Sequence, residues 1–313
     1  MKLFVTGATG FIGGHFLNAA MAAGHEVMAL RRADSSPRIK LQKEPCWVIG
    51  DLDIDLRANL HNDLRHEIRR CDVFVHLAAH SANPPYDNYA QCLYWNASAS
   101  LRLAEQVYEC GITQYLIAGS CFEYGLSAER YERIPPAAPL EPTASYPASK
   151  AAASLVFQSF ARQHRGQLKI LRLFQVYGEG ELETRLWPSL RRAALGGEDF
   201  SMTSGAQLRD FTEVSDVAHQ LVGTLEFGNV AAGSPQVSNL GSGQIQSLRD
   251  FAERWWQHWN AKGKLLIGAN PYRQNEIMRL APELDLITRD AASSPADEFI
   301  SPFSASVRNG QFT

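Results

Sequence analysis

The chain has 313 residues, 45% of them hydrophobic, which is ample for a large buried core in one domain or two intimate ones. A net charge of -3, a pI near 6.3 and the lack of any basic stripe argue against nucleic acid or an anionic membrane as a partner. The five cysteines (Cys46, Cys71, Cys92, Cys110, Cys121) are scattered, odd in number and form no C-x-x-C pair, so they read as free thiols in a reducing compartment and not as a disulfide framework or zinc site.

The first residues carry no long apolar segment, and no run reaches about 18 apolar residues, so a cytoplasmic protein is expected. β-rich runs follow in order as KLFVT, EVMAL, CWVIG, DVFVHLA, QYLIAGS and LKILRLF. Between most of them lie amphipathic stretches of helical length over 11–23, 56–68, 89–110 and 146–163. Continuous apolar strands alternating with helices predict an α/β fold built on a doubly wound parallel sheet covered on both faces. After about residue 174 the rhythm breaks into shorter, mixed segments. A late helix, SLRDFAERWWQHWN, opens on Ser247-x-x-Asp250, a capping box with Asp in place of Glu. Its Leu248, Phe251, Ala252, Trp255 and Trp259 fall at helical spacing and read as core packing. The last ~30 residues, rich in Ser, Ala and Pro, show no periodicity.

The opening KLFVTGATGFIGGHF reads as strand, glycine turn and helix. Gly7 permits the tight turn, Gly10 lets the backbone approach a pyrophosphate, and Gly13 lets helix and strand pack closely. Gly7, Thr9, Gly10, Phe11, Ile12 and Gly13 therefore form a candidate dinucleotide cradle. The second strand ends in Arg31 and Arg32, about the ~20 residues downstream where an acid would hold the ribose of NAD. A guanidinium there suits a 2′-phosphate, so NADP (NADPH) is expected over NAD, although Asp34 is near enough to reach a ribose. Asp51, followed by Leu52, is a candidate partner for the adenine amino group. Leu77, Ala78 and Ala79 after the fourth strand are further candidate cofactor contacts. His76 and His80 bracket this turn, but with no acidic or cysteine partner close by they do not read as metal ligands, and no metal is expected.

SYPASKAAA supplies Tyr146-x-x-x-Lys150, a phenol and an ammonium one helical turn apart. A neighbouring cation favours the phenolate and lowers a pKa that is ordinarily about 10, making the phenol a usable proton donor and acceptor. Ser120, in GSCFEYG at the end of the fifth strand, completes a Ser-Tyr-Lys catalytic set.

TGATGFIGGH, HLAA, GSCFEYG, YPASK, LRLFQVYG, RDFTEVSDVA and NLGSG run in the order seen in extended short-chain dehydrogenase/reductases. The chain resembles their nucleotide-sugar epimerase/dehydratase branch over about residues 1–243. That resemblance implies a Rossmann-type domain over 1–176, with returning segments near 211–241, and a smaller substrate-binding domain from 177–210 and 242–313. It implies a homodimer, often formed through a four-helix bundle of the 89–110 and 146–163 stretches. It matches Ser120, Tyr146 and Lys150 to the catalytic triad, and Asn96 to the asparagine of the helix before the catalytic strand, grouped with the cofactor site. The family's 4,6-dehydratases read S-T-D-E-x-Y-G at the fifth strand's end, where Cys121 and Phe122 here take the places of the acid and base. Glu123 is displaced by one position, which on a strand would turn it to the other side. The asparagine of F-N-x-Y-G is Gln175, and the late L-G-W-x-P signature is missing.

SCFEYG followed by YPASKAAA resembles the CDP- and dTDP-4-keto-6-deoxyhexose 4-ketoreductases of the abequose and paratose synthase type. The implied activity is NADPH-dependent reduction of the 4-keto group of a nucleotide-linked 4-keto-6-deoxy sugar. His80, Cys121, Phe122, Gln175, Arg185, Arg209 and Arg279 are the candidate substrate contacts. The rival expectations are a nucleotide-sugar 4-epimerase with tightly bound NAD, a reductase of small non-sugar carbonyls, and a redox-sensing binding protein, which typically lacks the Tyr or the Lys.

Overall fold

Along Lys2–Thr6 (β1) the side chains alternate between two apolar layers: Leu3 and Val5 enter one cluster and Phe4 the other, all fully buried. A strand apolar on both faces needs cover on both, and the rest of the chain supplies it. The computed structural model describes residues 1–58, 61–273 and 276–285. The strands that follow are β2 (Glu26–Arg31), β3 (Cys46–Ile49), β4 (Val73–His76), β5 (Gln114–Ser120), β6 (Gln167–Leu173), β7 (Gln175–Tyr177), β8 (Phe200–Met202), β9 (Leu208–Glu213), β10 (Gln236–Leu240), β11 (Ile245–Ser247), β12 (Leu265–Ile267) and β13 (Arg279–Leu280). Seven of them form one parallel sheet in the order β10-β6-β5-β4-β1-β2-β3. This is the doubly wound order, and its reversal between β1 and β4 opens the crevice where such sheets bind ligands.

Helices α1 (Phe11–Ala22), α2 (Asn62–Ile68), α3 (Tyr89–Leu93), α4 (Ser100–Glu109) and α5 (Ser145–His164) alternate with these strands. They are followed by α6 (Leu186–Gly196), α7 (Val214–Gly223) and α8 (Leu248–His258). Phe16 and Leu17 of α1 and Val217 and Leu221 of α7 cover one face of the sheet. Leu103 and Val107 of α4 and Phe157 and Phe160 of α5 cover the other. A second sheet, β11-β9-β13 with β7 paired to β9, and a β12–β8 pair stand apart from the first.

Two expected helices differ. In the 56–68 stretch the α-helix spans Asn62–Ile68, and ahead of it Asp51 and Asp55 accept from the backbone amides of Asp53 and Arg57 and hold local turns. The 89–110 stretch is helical throughout but carries a π-helical turn over Tyr94–Ala99 between α3 and α4. The capping box at Ser247 forms: its hydroxyl accepts from the Asp250 amide at 3.0 Å, and Asp250 accepts from the Ser247 amide at 3.4 Å. From residue 286 onward, the stretch without periodicity lies outside the described residues.

Candidate active site

The turn after β1 touches the turn after β4. Gly7 has φ +75°, and a Cβ on it would lie 2.4 Å from the Ala78 nitrogen. A Cβ on Gly13 would lie 2.0 Å from the Gly7 oxygen. Neither position has room for a side chain, and Gly10 enters α1 with no side-chain cap, so the helix start is open to an anion. At the end of β2, Arg31 donates through Nη1 to the Ser35 oxygen (2.6 Å) and rides over the Trp47 ring, while its buried Nε has no partner. Arg31 thus holds its own loop. Arg32 is exposed, pairs only loosely with Asp34 at 3.7 Å, and lines an open cleft of about 450 Å³ with Gly50, Asp51, Ile54 and His61. The glycine cradle and the uncapped helix fit a nicotinamide dinucleotide.

At the C-terminal end of β5, Ser120, Tyr146 and Lys150 come together, all buried. Ser120 and Tyr146 share a hydrogen bond between their side chains. Burial raises the Tyr146 phenol above its ordinary value, and the bond with Ser120 opposes that shift. This corrects the expectation of a phenol lowered by its neighbouring cation. Lys150 Nζ donates to the Ala118 oxygen at 2.7 Å, and burial lowers its own pKa, Glu123 acting the other way. Asn96, in the π-helical turn, accepts from the His80 amide (2.6 Å) and donates to the His80 oxygen (3.0 Å) and to Ser149 Oγ (2.8 Å). Its amide therefore ties the turn after β4 to the helix that carries Tyr146 and Lys150.

A family model described as the NAD dependent epimerase/dehydratase family matches residues 3–241. The chain belongs to this family. It is 28% identical over 289 residues to a UDP-glucose 4-epimerase of Neisseria meningitidis serogroup B, covering 80% of each chain. It is 25% identical over 291 residues to a CDP-abequose synthase of Salmonella muenchen, covering 92% of this chain and 91% of that one. The solved structure of MoeE5 in complex with UDP-glucuronic acid and NAD superposes with a TM-score of 0.74 at 26% identity, covering 94% and 92% of the two chains. The chain is thus an NAD(P)-dependent enzyme of the extended short-chain dehydrogenase/reductase type.

Within this epimerase/dehydratase framework the residues after Ser120 depart from a strand. Cys121–Tyr124 form a 3₁₀ turn, and Ser120-x-x-Glu123 closes it as a capping box. Glu123 is not turned away by strand alternation. It is drawn inward and fully buried, accepting from the Ser120 amide (2.7 Å), Ser154 Oγ (2.7 Å) and Arg172 Nε (2.8 Å). Cys121 is buried and its thiol is pushed up to about 12, chiefly by burial, while Phe122 packs half-buried on the same apolar cluster. His80 does have an acidic partner, contrary to the expectation: Asp87 Oδ2 lies 3.0 Å from its Nε2. His76 Nδ1 bonds Thr6 Oγ1 at 2.7 Å, and burial lowers the ring to about 3, so it is neutral. Among the described residues no three metal-ligating side chains cluster, and no helix is long and apolar enough to cross a membrane.

The substrate candidates separate. Arg209 is buried and held by Glu276 Oε1 (3.2 Å) and the Ile277 oxygen (2.6 Å), which anchors the segment leading into β13. Arg279 lies in β13 beside β9, and Gln175 in β7 pairs with Phe211. Arg185 precedes α6, and its charge is felt by Tyr86 and Cys121. Tyr86, absent from the sequence candidates, stacks obliquely on Tyr146 with centroids 5.5 Å apart. Only the neighbouring Pro84-Pro85 marked it as a fixed position.

Proposed function

We propose that the protein reduces the 4-keto group of a nucleotide-linked 4-keto-6-deoxy sugar, with NADPH as its coenzyme. The observation that carries this reading is the commitment of Glu123 to Arg172 and Ser154, with Cys121 and Phe122 beside it. The turn at the end of β5 has no free carboxyl for eliminating water, and Tyr146 stands there as the proton donor. The likeness to a CDP-abequose synthase over 92% of the chain supports the substrate class. The bound coenzyme supplies the hydride. Tyr146 gives its phenolic proton to the carbonyl oxygen, Ser120 donates a hydrogen bond to the same oxygen, and Lys150 holds the ribose side and the local charge. Residues 1–176 with 211–241 serve the coenzyme, and 177–210 with the stretch from 242 serve the sugar. A homodimer through α3–α4 and α5 is supported by the exposed Tyr89, Leu93, Tyr94 and Leu155 on those helices. The test is NADPH oxidation with CDP-, dTDP- and GDP-4-keto-6-deoxyhexoses. Turnover of at least one is expected, and none with any would refute the reading.

The likeness to a UDP-glucose 4-epimerase and the partial engagement of Arg31 favour a second reading, 4-epimerisation with retained NAD. Coenzyme choice separates the two. Hydrogen bonds to charged groups contribute roughly 1.5–3 kcal/mol, so kcat/KM should favour NADPH over NADH by roughly ten- to a hundredfold. Arg32→Asp should remove most of that preference, chiefly through KM for NADPH. Equal kcat/KM for both coenzymes in the wild-type protein, or tightly bound NAD+ after purification, would move the epimerase ahead.

Dehydration gives a further check. CDP-, dTDP- and GDP-hexoses that carry no keto group should show no loss of water by mass spectrometry, because Glu123 is bound and neither Cys121 nor Phe122 replaces a carboxyl pair. A dehydrated 4-keto product from any of them would overturn the assignment.

A further inference from the structure

Residues 80–88, between the turn after β4 and α3, form a loop that is tied at both ends. At one end Asn96 accepts from the His80 amide and donates to the His80 oxygen. At the other end Asp87 acts as a knot. Its amide donates to Ser81 Oγ (2.7 Å), and its carboxylate meets His80 Nε2 (3.0 Å) and accepts from the Asn88 amide (2.7 Å). Ser81 closes the loop in a left-handed conformation, φ +60°, which is uncommon for a residue with a side chain. Pro84 and Pro85, with φ fixed by their rings, leave the tip little freedom.

One further bond decides what this frame holds. Ser145 Oγ donates to the Asp87 oxygen at 2.5 Å. Ser145 directly precedes Tyr146 and Asp87 directly follows Tyr86, so the two segments are clasped one residue away from each aromatic ring. The rings meet there with centroids 5.5 Å apart and planes inclined by 30°, within the usual ~4.5–7 Å range of aromatic pairs. Tyr146 is 7% exposed, and Tyr86 is half-buried against it. Among the described residues Tyr86 belongs to none of the four apolar clusters, and its hydroxyl has no hydrogen-bond partner. The ring therefore serves the phenol it packs on, not the core or a polar network.

We propose that Tyr86 is a positioning residue for the proton donor: its ring, clasped to α5, holds the Tyr146 phenol on Ser120 and shuts bulk water away from it. This rests on the reading of Tyr146 as the donor and not on the identity of the sugar. Tyr86 acts through Tyr146 and needs no contact with the sugar.

The groups that face Tyr146 are Ser120, Tyr86, Cys121 and Glu123. Burial and the last three raise the phenol above its ordinary value, and only the bond with Ser120 lowers it. Arg185, Arg273 and Cys121 face Tyr86 itself. Stripping the Tyr86 ring lets water hydrate a phenolate at position 146, so the phenol falls back toward its ordinary value of about 10. The donor form is then lost at the alkaline end, where the wild-type phenol stays protonated.

Tyr86→Ala, Tyr86→Phe and Ser145→Ala test this. NMR of isotope-labelled tyrosine rings, with Tyr146→Phe assigning the signal, should show the wild-type Tyr146 protonated up to about pH 10.5 and titrating by then in Tyr86→Ala. On whichever CDP-, dTDP- or GDP-4-keto-6-deoxyhexose is turned over, Tyr86→Ala should lose roughly ten- to a hundredfold in kcat, the cost of a misplaced group. Its coenzyme Kd should stay within a few fold of wild type. Tyr86→Phe, which keeps the ring, should match the wild type within a few fold in every readout. Ser145→Ala, which opens the clasp and leaves both rings, should lower kcat several-fold. An unchanged Tyr146 titration in Tyr86→Ala would overturn the proposal whether or not any sugar is reduced. So would a raised kcat/KM in that variant, the mark of a ring that blocks the phenol, or a loss that Tyr86→Phe shares. Turnover of no sugar, with the titration shifted as expected, would overturn the substrate class and leave the role of Tyr86 standing.

Discussion

Tyr146→Phe should lose about 10²–10⁴-fold in kcat while coenzyme affinity stays within a few fold of wild type. The phenol is buried, and burial keeps it protonated across the accessible pH range, so it is a donor and not a base in the resting site. General acid catalysis of this kind contributes that range of rate, and removing one oxygen leaves the ring and its packing on Tyr86 in place. The split between kcat and coenzyme binding is the diagnostic, because a variant that merely unpacked the site would weaken both. Single-turnover kinetics together with coenzyme titration by fluorescence would measure it. A phenylalanine enzyme retaining more than about a tenth of wild-type kcat would show that another group supplies the proton.

The parallel sheet was legible because its strands are apolar on both faces and its helices have one apolar side, and these patterns are local. Gly7 and Gly13 could be assigned their positions for the same reason: a strand-turn-helix imposes its own space limits. Where side chains far apart in sequence decide the outcome, local pattern fails. Nothing in YWNASA marks the π-helical turn that aims Asn96 at His80 and Ser149, since the bonds that hold it come from 16 and 53 residues away. Nothing beside Arg31 in the sequence shows that Trp47 on the neighbouring strand and the Ser35 oxygen share its guanidinium. Glu181 carries no motif at all; its pKa is raised chiefly by burial, which its sequence neighbours do not reveal. Glu123 was within reach, because Ser120-x-x-Glu123 is itself a capping-box sequence that ends a strand and begins a turn. Extending strand alternation through it gave the side chain the wrong direction.

Glu123→Ala should destabilise the fold by about 3–5 kcal/mol, the usual cost of removing one partner from a buried ion pair. Arg172 is 4% exposed and Glu123 fully buried, so the guanidinium left behind has no water to take over. The pair also sits at a junction. Through Glu123 the turn after β5 is bonded to Ser154 of α5. Through Arg172 it reaches the Pro136 oxygen (2.7 Å) and the hydroxyl of Tyr124 (3.0 Å), whose ring lies under the guanidinium. Tyr124 donates in turn to Asn239 of β10 at 2.6 Å, and Asn239 donates to the oxygens of Ile134 and Glu283. One carboxylate therefore joins the catalytic strand end to β6, β10 and the 134–139 segment. Gly119 leaves no slack, since a Cβ there would lie 2.9 Å from Glu123 Oε1 and 3.0 Å from Arg172 Cγ. Replacing both charges, as Glu123→Leu with Arg172→Met, should recover a good part of the loss, because a buried pair contributes less than the penalty of breaking it. Urea unfolding of the two single variants and the double variant measures both quantities. A loss below about 1 kcal/mol in Glu123→Ala would mean that water reaches Arg172, and that the carboxylate is free enough to serve the substrate after all.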